Sequence, residues 1–272
     1  MKHSKRLASF CLPALLLFAA CSKDDNNPVQ PPTLVKEWTV SMNVNNELSV
    51  LAGRTDSGSA VLQLYSNDTL RYTLTVKNLG AGDALTASHI HMGDAVTNGS
   101  VYIPFNETFT NNALSGAVLL TPAQADSIQN FPMYVNIHST QAPGGIMRGQ
   151  MDKTIVFAAN VSMTGAHEVP PVTTTATGTA FLRLAADNTL FSKVTVADLE
   201  SGDAWTAAHV HTGAPDVNGG VLIPLCNSAD DFGISITTAL AADVVTTLLT
   251  DQVYTNAHTT NHPAGIIRGQ IR

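Results

Sequence analysis

Apolar and polar residues alternate along much of this chain with a period of two. In Leu70-Arg71-Tyr72-Thr73-Leu74-Thr75-Val76-Lys77 every second residue is apolar. Successive side chains of a strand point to opposite faces, so Leu70, Tyr72, Leu74 and Val76 are expected to face a core, and Arg71, Thr73, Thr75 and Lys77 water. Ser66-Asn67-Asp68-Thr69 just before this run is turn chemistry and predicts a hairpin with Ala60–Tyr65. A matching pair, Phe181–Leu184 and Leu190–Val196, flanks the turn Ala186-Asp187-Asn188. Only two segments read as helix. Thr121 is an N-cap followed by Pro122, giving a helix to about Gln129, and the other is expected over Thr238–Leu249. Short strands separated by turns predict an all-β antiparallel sandwich or barrel.

The pattern occurs twice. Ser88-His89-Ile90-His91 returns as Ala208-His209-Val210-His211, and Asn98-Gly99 as Asn218-Gly219. Tyr134-Val135-Asn136-Ile137-His138 returns as Tyr254-Thr255-Asn256-Ala257-His258, and Arg148-Gly149-Gln150 as Arg268-Gly269-Gln270. Each pair is offset by 120 (209−89, 254−134, 268−148), as are Gly58 with Gly178 and Gly82-Asp83-Ala84 with Gly202-Asp203-Ala204. One constant offset over so many markers means tandem duplication. It divides the chain into residues 34–152 and 153–272, each long enough for its own core and each with one short helix.

The N-terminus reads as an address. Lys2, Lys5 and Arg6 precede a short apolar run that ends in Phe18-Ala19-Ala20-Cys21, which predicts a signal peptide over residues 1–20. The ending resembles a lipobox, with Phe18 where Leu is usual, and implies lipidation of Cys21. A polar, Pro-rich tether follows over 21–33. These features predict a lipoprotein of the bacterial cell envelope, held to the outer membrane by its lipid and facing the periplasm or the surface. Without residues 1–20 the chain keeps 11 Lys+Arg (14−3) against 21 Asp+Glu, a net of −10. That acidity, with no basic patch, argues against nucleic acid as a partner. Cys226 is then left alone and is expected to be a small buried residue, which rules out an internal disulfide framework and a thiolate zinc site.

Chemistry concentrates in the repeated histidines. On a strand His89 and His91 share a face, as do His209 and His211, and Tyr134, Asn136 and His138 share another. A His-x-His pair with a third histidine from a neighbouring strand can bind copper or zinc through imidazole. The same residues could instead form a polar network that orders the loops Gly93–Gly99 and Pro143–Gly145. No Gly-x-Ser-x-Gly, Walker loop, His-Glu-x-x-His or EF-hand spacing occurs, so no complete catalytic constellation is present.

Taken together, Gly165-Ala166-His167-Glu168-Val169-Pro170-Pro171, Ala208–Gly213, Asn218–Val221, Tyr254–Thr259 and Pro263–Gln270 resemble the CHRD (chordin-type) domain in two copies. Two departures stand out. The first copy has Asn46-Glu47-Leu48-Ser49-Val50 in place of the Glu-Val-Pro-Pro segment, and Ile146 and Ile266 stand where the family usually has Glu. The resemblance implies an immunoglobulin-like β-sandwich similar to Cu,Zn superoxide dismutase. The copper site of that enzyme resembles the histidine layout, with a late arginine near the metal, a place Arg148 and Arg268 could fill. The reading that follows is an envelope-anchored, non-enzymatic binding or structural module for a protein, glycan or matrix partner. The alternative is a copper- or zinc-binding protein using His89, His91, His138, His209, His211 and His258, with dismutase-like chemistry remote.

Overall fold

The structure, a computed structural model, describes residues 30–272; the expected leader, Cys21 and the first part of the tether lie outside them. The first repeat consists of β1 (Leu34–Asn43), β2 (Ser57–Tyr65), β3 (Thr69–Lys77), β4 (Leu85–Met92), β5 (Val101–Phe105), β6 (Ala113–Leu119), α1 (Pro122–Asn130), β7 (Met133–Ser139) and β8 (Met147–Gln150). The second follows the same order. It has β9 (Ile155–Thr164), β10 (Thr177–Ala185), β11 (Thr189–Ala197), β12 (Trp205–Thr212), β13 (Val221–Cys226), β14 (Ile236–Ala239), α2 (Ala242–Thr250), β15 (Val253–Thr259) and β16 (Ile267–Gln270).

Each repeat forms a single eight-stranded antiparallel sheet, in the order β5-β4-β7-β8-β1-β2-β3-β6 and its equivalent β13-β12-β15-β16-β9-β10-β11-β14. The sandwich is thus one sheet folded over itself into a nearly closed barrel. Its two edges approach through side chains: Tyr72 on β3, the neighbour of edge strand β6, stacks on Phe105 of the other edge strand, β5, with ring centroids 3.9 Å apart. The alternation works as read. Leu70, Leu74 and Ile90 are wholly buried, and Tyr72 and Val76 join them in the first core. Cys226 is buried in the second.

The hairpin turns close on Asp68 and Asn188, both at positive φ (61° and 65°), a conformation that short polar residues tolerate. Helix α1 starts where expected, with Thr121 accepting from the Gln124 N–H and Gln124 reaching back to the Thr121 N–H. The second helix does not. Thr238 lies in β14, opposite Leu190 of β11, and α2 begins only at Ala242. The run Ile236-Thr237-Thr238 is β-branched and has a free neighbouring edge to pair with, which outweighs its weak helix preference.

Arg-Gly-Gln has a structural meaning. Strands β8 and β1 meet only where Arg148 opposes Asn43, and a Cβ on Gly149 would lie 2.3 Å from the Ser41 carbonyl oxygen. Glycine is what lets the sheet continue across this junction.

The two domains share a buried contact. The segment after β1 and the loop after β4 press on the outer face of β9–β11. There Ala95 and Val96 pack with Ala185 and Phe191. Arg183, with no exposed surface, uses all of its N–H groups. It donates to Asn46 O (3.2 Å) and Glu47 O (2.6 Å) of the first domain, and to Ala159 O, Leu182 O and Asn160 Oδ1 of its own. Asn160 Nδ2 adds bonds to Glu47 O and Leu48 O, and the Ser235 hydroxyl bonds Asp94.

Candidate metal centre

Strand register brings the third histidine in. β4 pairs with β7 so that His89 opposes Asn136, His91 opposes Tyr134, and His138 opposes Ala87, one step diagonal to His89. Ile90 turns the other way into the core. The nitrogens of His89, His91 and His138 lie within 4.8 Å of one another, and those of His209, His211 and His258 do the same. His89 Nδ1 is 3.1 Å from His138 Nε2, and His209 Nδ1 is 3.0 Å from His258 Nε2.

Backbone carbonyls choose which nitrogen faces the cluster. His91 Nδ1 is 3.0 Å from Gly99 O and His138 Nδ1 2.9 Å from Pro143 O; His211 and His258 repeat this with Gly219 O and Pro263 O. A carbonyl only accepts, so each of these Nδ1 atoms carries the hydrogen and its Nε2 keeps a lone pair. The polar network and the metal-ligand layout are therefore the same arrangement, since ordering the loops is what orients the rings. His91 Nε2 and His211 Nε2 are buried and have no partner among the described residues. They are orphaned acceptors aimed at the cluster, and they fit a cation ligated by imidazole.

Burial first, and the adjacent imidazoles second, hold His89 below the usual histidine range and His209 down to about 4. Burial likewise lowers His91, His211 and His258. These five rings are neutral near pH 7, the form that ligates. In the second domain the cluster opens onto a surface depression of about 620 Å³, between Thr206, Val221 and Pro263.

Arg148 and Arg268 are not where a metal-side arginine would stand. Each is 1 % exposed and stacks on a tyrosine: Arg148 Cζ is 3.5 Å from the Tyr134 ring centre and Arg268 Cζ 3.3 Å from that of Tyr254. The other face of each tyrosine stacks on His91 or His211 at 5.0 Å. Arg148 then donates to Asp94 O, Thr97 O and Asn98 Oδ1, and Arg268 to Ala214 O, Val217 O and Asn218 Oδ1. The expectation that they line an approach is corrected to this: they hold the loop after the His-x-His strand and back the rings through tyrosine.

The family model for the CHRD domain matches residues 38–151 and again 159–271, which together span most of the protein. The chain belongs to the CHRD-domain family. No curated protein and no solved structure matches it. Both CHRD domains bury a carboxyl that the constant 120-residue offset does not pair. Glu47 and Glu168 are each 5 % exposed, and each ends the short turn after the first strand of its domain. Desolvation raises both to about 7, against the pull of Arg148 and Arg183 on Glu47 and of Arg268 on Glu168. The two glutamates are offset by 121 (168−47), as are Met42 and Met163 of the first strands. A single-residue gap before Gly58 thus hid the match, and the first CHRD domain keeps the Glu although it lacks Val-Pro-Pro. Ile146 and Ile266 are both core residues.

Proposed function

We propose that this chain is an envelope-anchored, non-enzymatic binding module in which each CHRD domain presents a three-histidine site for copper or zinc. The observation that carries the reading is the orphaned Nε2 of His91 and of His211, rings whose Nδ1 atoms are tied to Gly99 O and Gly219 O, each converging with two further imidazoles. A histidine cluster that served only to order loops has no need of a second buried acceptor without a donor, which costs about 1–3 kcal/mol per group. Three ligands leave a coordination position open, and the depression beside His209 gives it access to solvent. The absence of a paired nucleophile and base, or of a positioned acid, in the sequence favours binding over turnover. The basic residues, the apolar run and the small residues that precede Cys21 support the envelope anchor.

Calorimetric titration of the untagged mature protein with Zn(II) and with Cu(II) tests the reading. We expect two sites per chain, one lost in His89→Ala, the other in His209→Ala, and neither left in the double variant. Equal, weak binding by wild type and double variant discards it.

A further inference from the structure

The duplication makes each domain a control for the other, and one face differs. In the first CHRD domain the carbonyls of Asn46 and Glu47, above the buried Glu47 carboxyl, are capped by the guanidinium of Arg183 reaching across from the second domain. The loop beside them, Ala95-Val96, is buried under Ala185 and Phe191. Among the described residues, nothing from the first CHRD domain covers the corresponding face of the second. Pro215 and Asp216, which stand for Ala95 and Val96 (215−95 = 120), are exposed, and Val217 is 52 % exposed. A cleft of about 500 Å³ lies there, between Asn160, His167, Glu168, Pro171, Asp216 and Arg268.

The acceptors of that cleft are unsatisfied for a local reason. In a tight turn, the carbonyls of His167 and Glu168 would receive their hydrogen bonds from the residues three ahead, and these are Pro170 and Pro171, which have no N–H. No described residue donates to either carbonyl. Glu168 Oε1 is buried with no partner at hydrogen-bond distance, its neighbouring donor being the Asn256 amide, in a residue 95 % removed from water. The charged groups around the cleft are Glu168, Asp216 and Arg268. Arg268 is already spent on Ala214 O, Val217 O and Asn218 Oδ1, and Asp216 is a carboxylate where the first domain has Val96.

We propose that this cleft of the second CHRD domain binds the guanidinium of an arginine side chain presented by a partner polypeptide. The chemistry is that of Arg183 in the first domain: a planar fork of donors placed on two successive backbone carbonyls beside a buried carboxylate. Asp216 adds an exposed anion at the rim, so the second domain is better suited to an outside cation than the first. The volume admits a guanidinium with its three-carbon stem, and Pro171 and Val169 supply apolar walls for that stem. The site is distinct from the histidine cluster and needs no metal.

The probe is N-acetyl-L-argininamide, titrated into isotope-labelled, metal-free mature protein carrying Cys21→Ser and followed through its amide NMR spectrum. Saturable shifts are expected at residues 167–169 and 216–217. None are expected at residues 46–48 and 95–97, where Arg183 already sits. The neutral isostere N-acetyl-L-citrullinamide should bind roughly tenfold more weakly, because charge-assisted bonds are about twice as strong as neutral ones. At pH 8, where Glu168 is ionised, Glu168→Gln should weaken the arginine probe by a similar factor. Asp216→Asn, a surface change that cannot disturb folding, should weaken it roughly two- to fivefold, the range of an exposed ion pair. The proposal is overturned by any of three results: no saturable shift at 167–169, equal binding of the citrulline probe, or unchanged binding in Asp216→Asn and Glu168→Gln together.

Discussion

Arg183→Ala asks whether the tandem domains are one unit or two. The guanidinium is wholly buried, and burial lowers its pKa to about 10, which still leaves it charged at neutral pH. Two of its hydrogen bonds cross between domains, at 3.2 and 2.6 Å. A bond to a charged group contributes about 1.5–3 kcal/mol, so these two amount to about 3–6 kcal/mol before water refills the space. With that offset a loss of about 3 kcal/mol is expected, within the range seen when one partner is removed from a buried charged network. For a chain of this size, this lowers Tm by about 6–12 °C. Scanning calorimetry should also show the single transition of the wild type splitting into two. Arg183→Met, which keeps the volume and buries no charge, should lose less, because an apolar replacement leaves no cavity. If Arg183→Ala melts as one transition within about 1 °C of wild type, the domains are not coupled through this residue.

Three further outcomes follow from the same structure. Glu168 is raised from 4.5 to about 7 in the folded chain, so the folded state holds more protons between those values; its contribution is full below pH 4.5 and is lost as pH rises through about 7. Glu168→Gln should therefore match wild type in urea unfolding at pH 4.5 but exceed it by on the order of 2 kcal/mol at pH 8, and an equal effect at both pH values contradicts the assignment. Gly149→Ala would put a methyl group 2.3 Å from Ser41 O and 2.7 Å from Val40 Cγ1; a loss of about 3 kcal/mol or more is expected by thermal melting, and an unchanged Tm contradicts the close approach of β8 to β1. Cys21→Ser should move the protein from the membrane to the soluble fraction, since each acyl CH₂ buried contributes about 0.8 kcal/mol, and a wild type that is already soluble and unacylated removes the anchor.

Much of this fold is written in short-range pattern. Period-two alternation marks the core-facing Leu70, Tyr72, Leu74 and Val76, the turn residues mark the hairpins, and a constant offset exposes the two domains. The pairing of His89 with His91 is equally local, because strand geometry alone puts residues two apart on one face. What the sequence could not settle depends on which strands become neighbours. His138 completes the cluster only because β7 lies beside β4 in a register that sets it diagonal to His89. Arg148 looked like a ligand-side cation and is instead buried, because β8 carries it under Tyr134 and the loop after β4. Helix α2 starts late because β11 offers an edge to Ile236–Ala239. Arg183, polar among apolar neighbours on β10, gives no sign in sequence that its partners lie in another domain. Alternation and capping act over a few residues and can be read in order along the chain. Hydrogen bonds and burial act between whatever the closed sheet brings together, and only the folded chain fixes that.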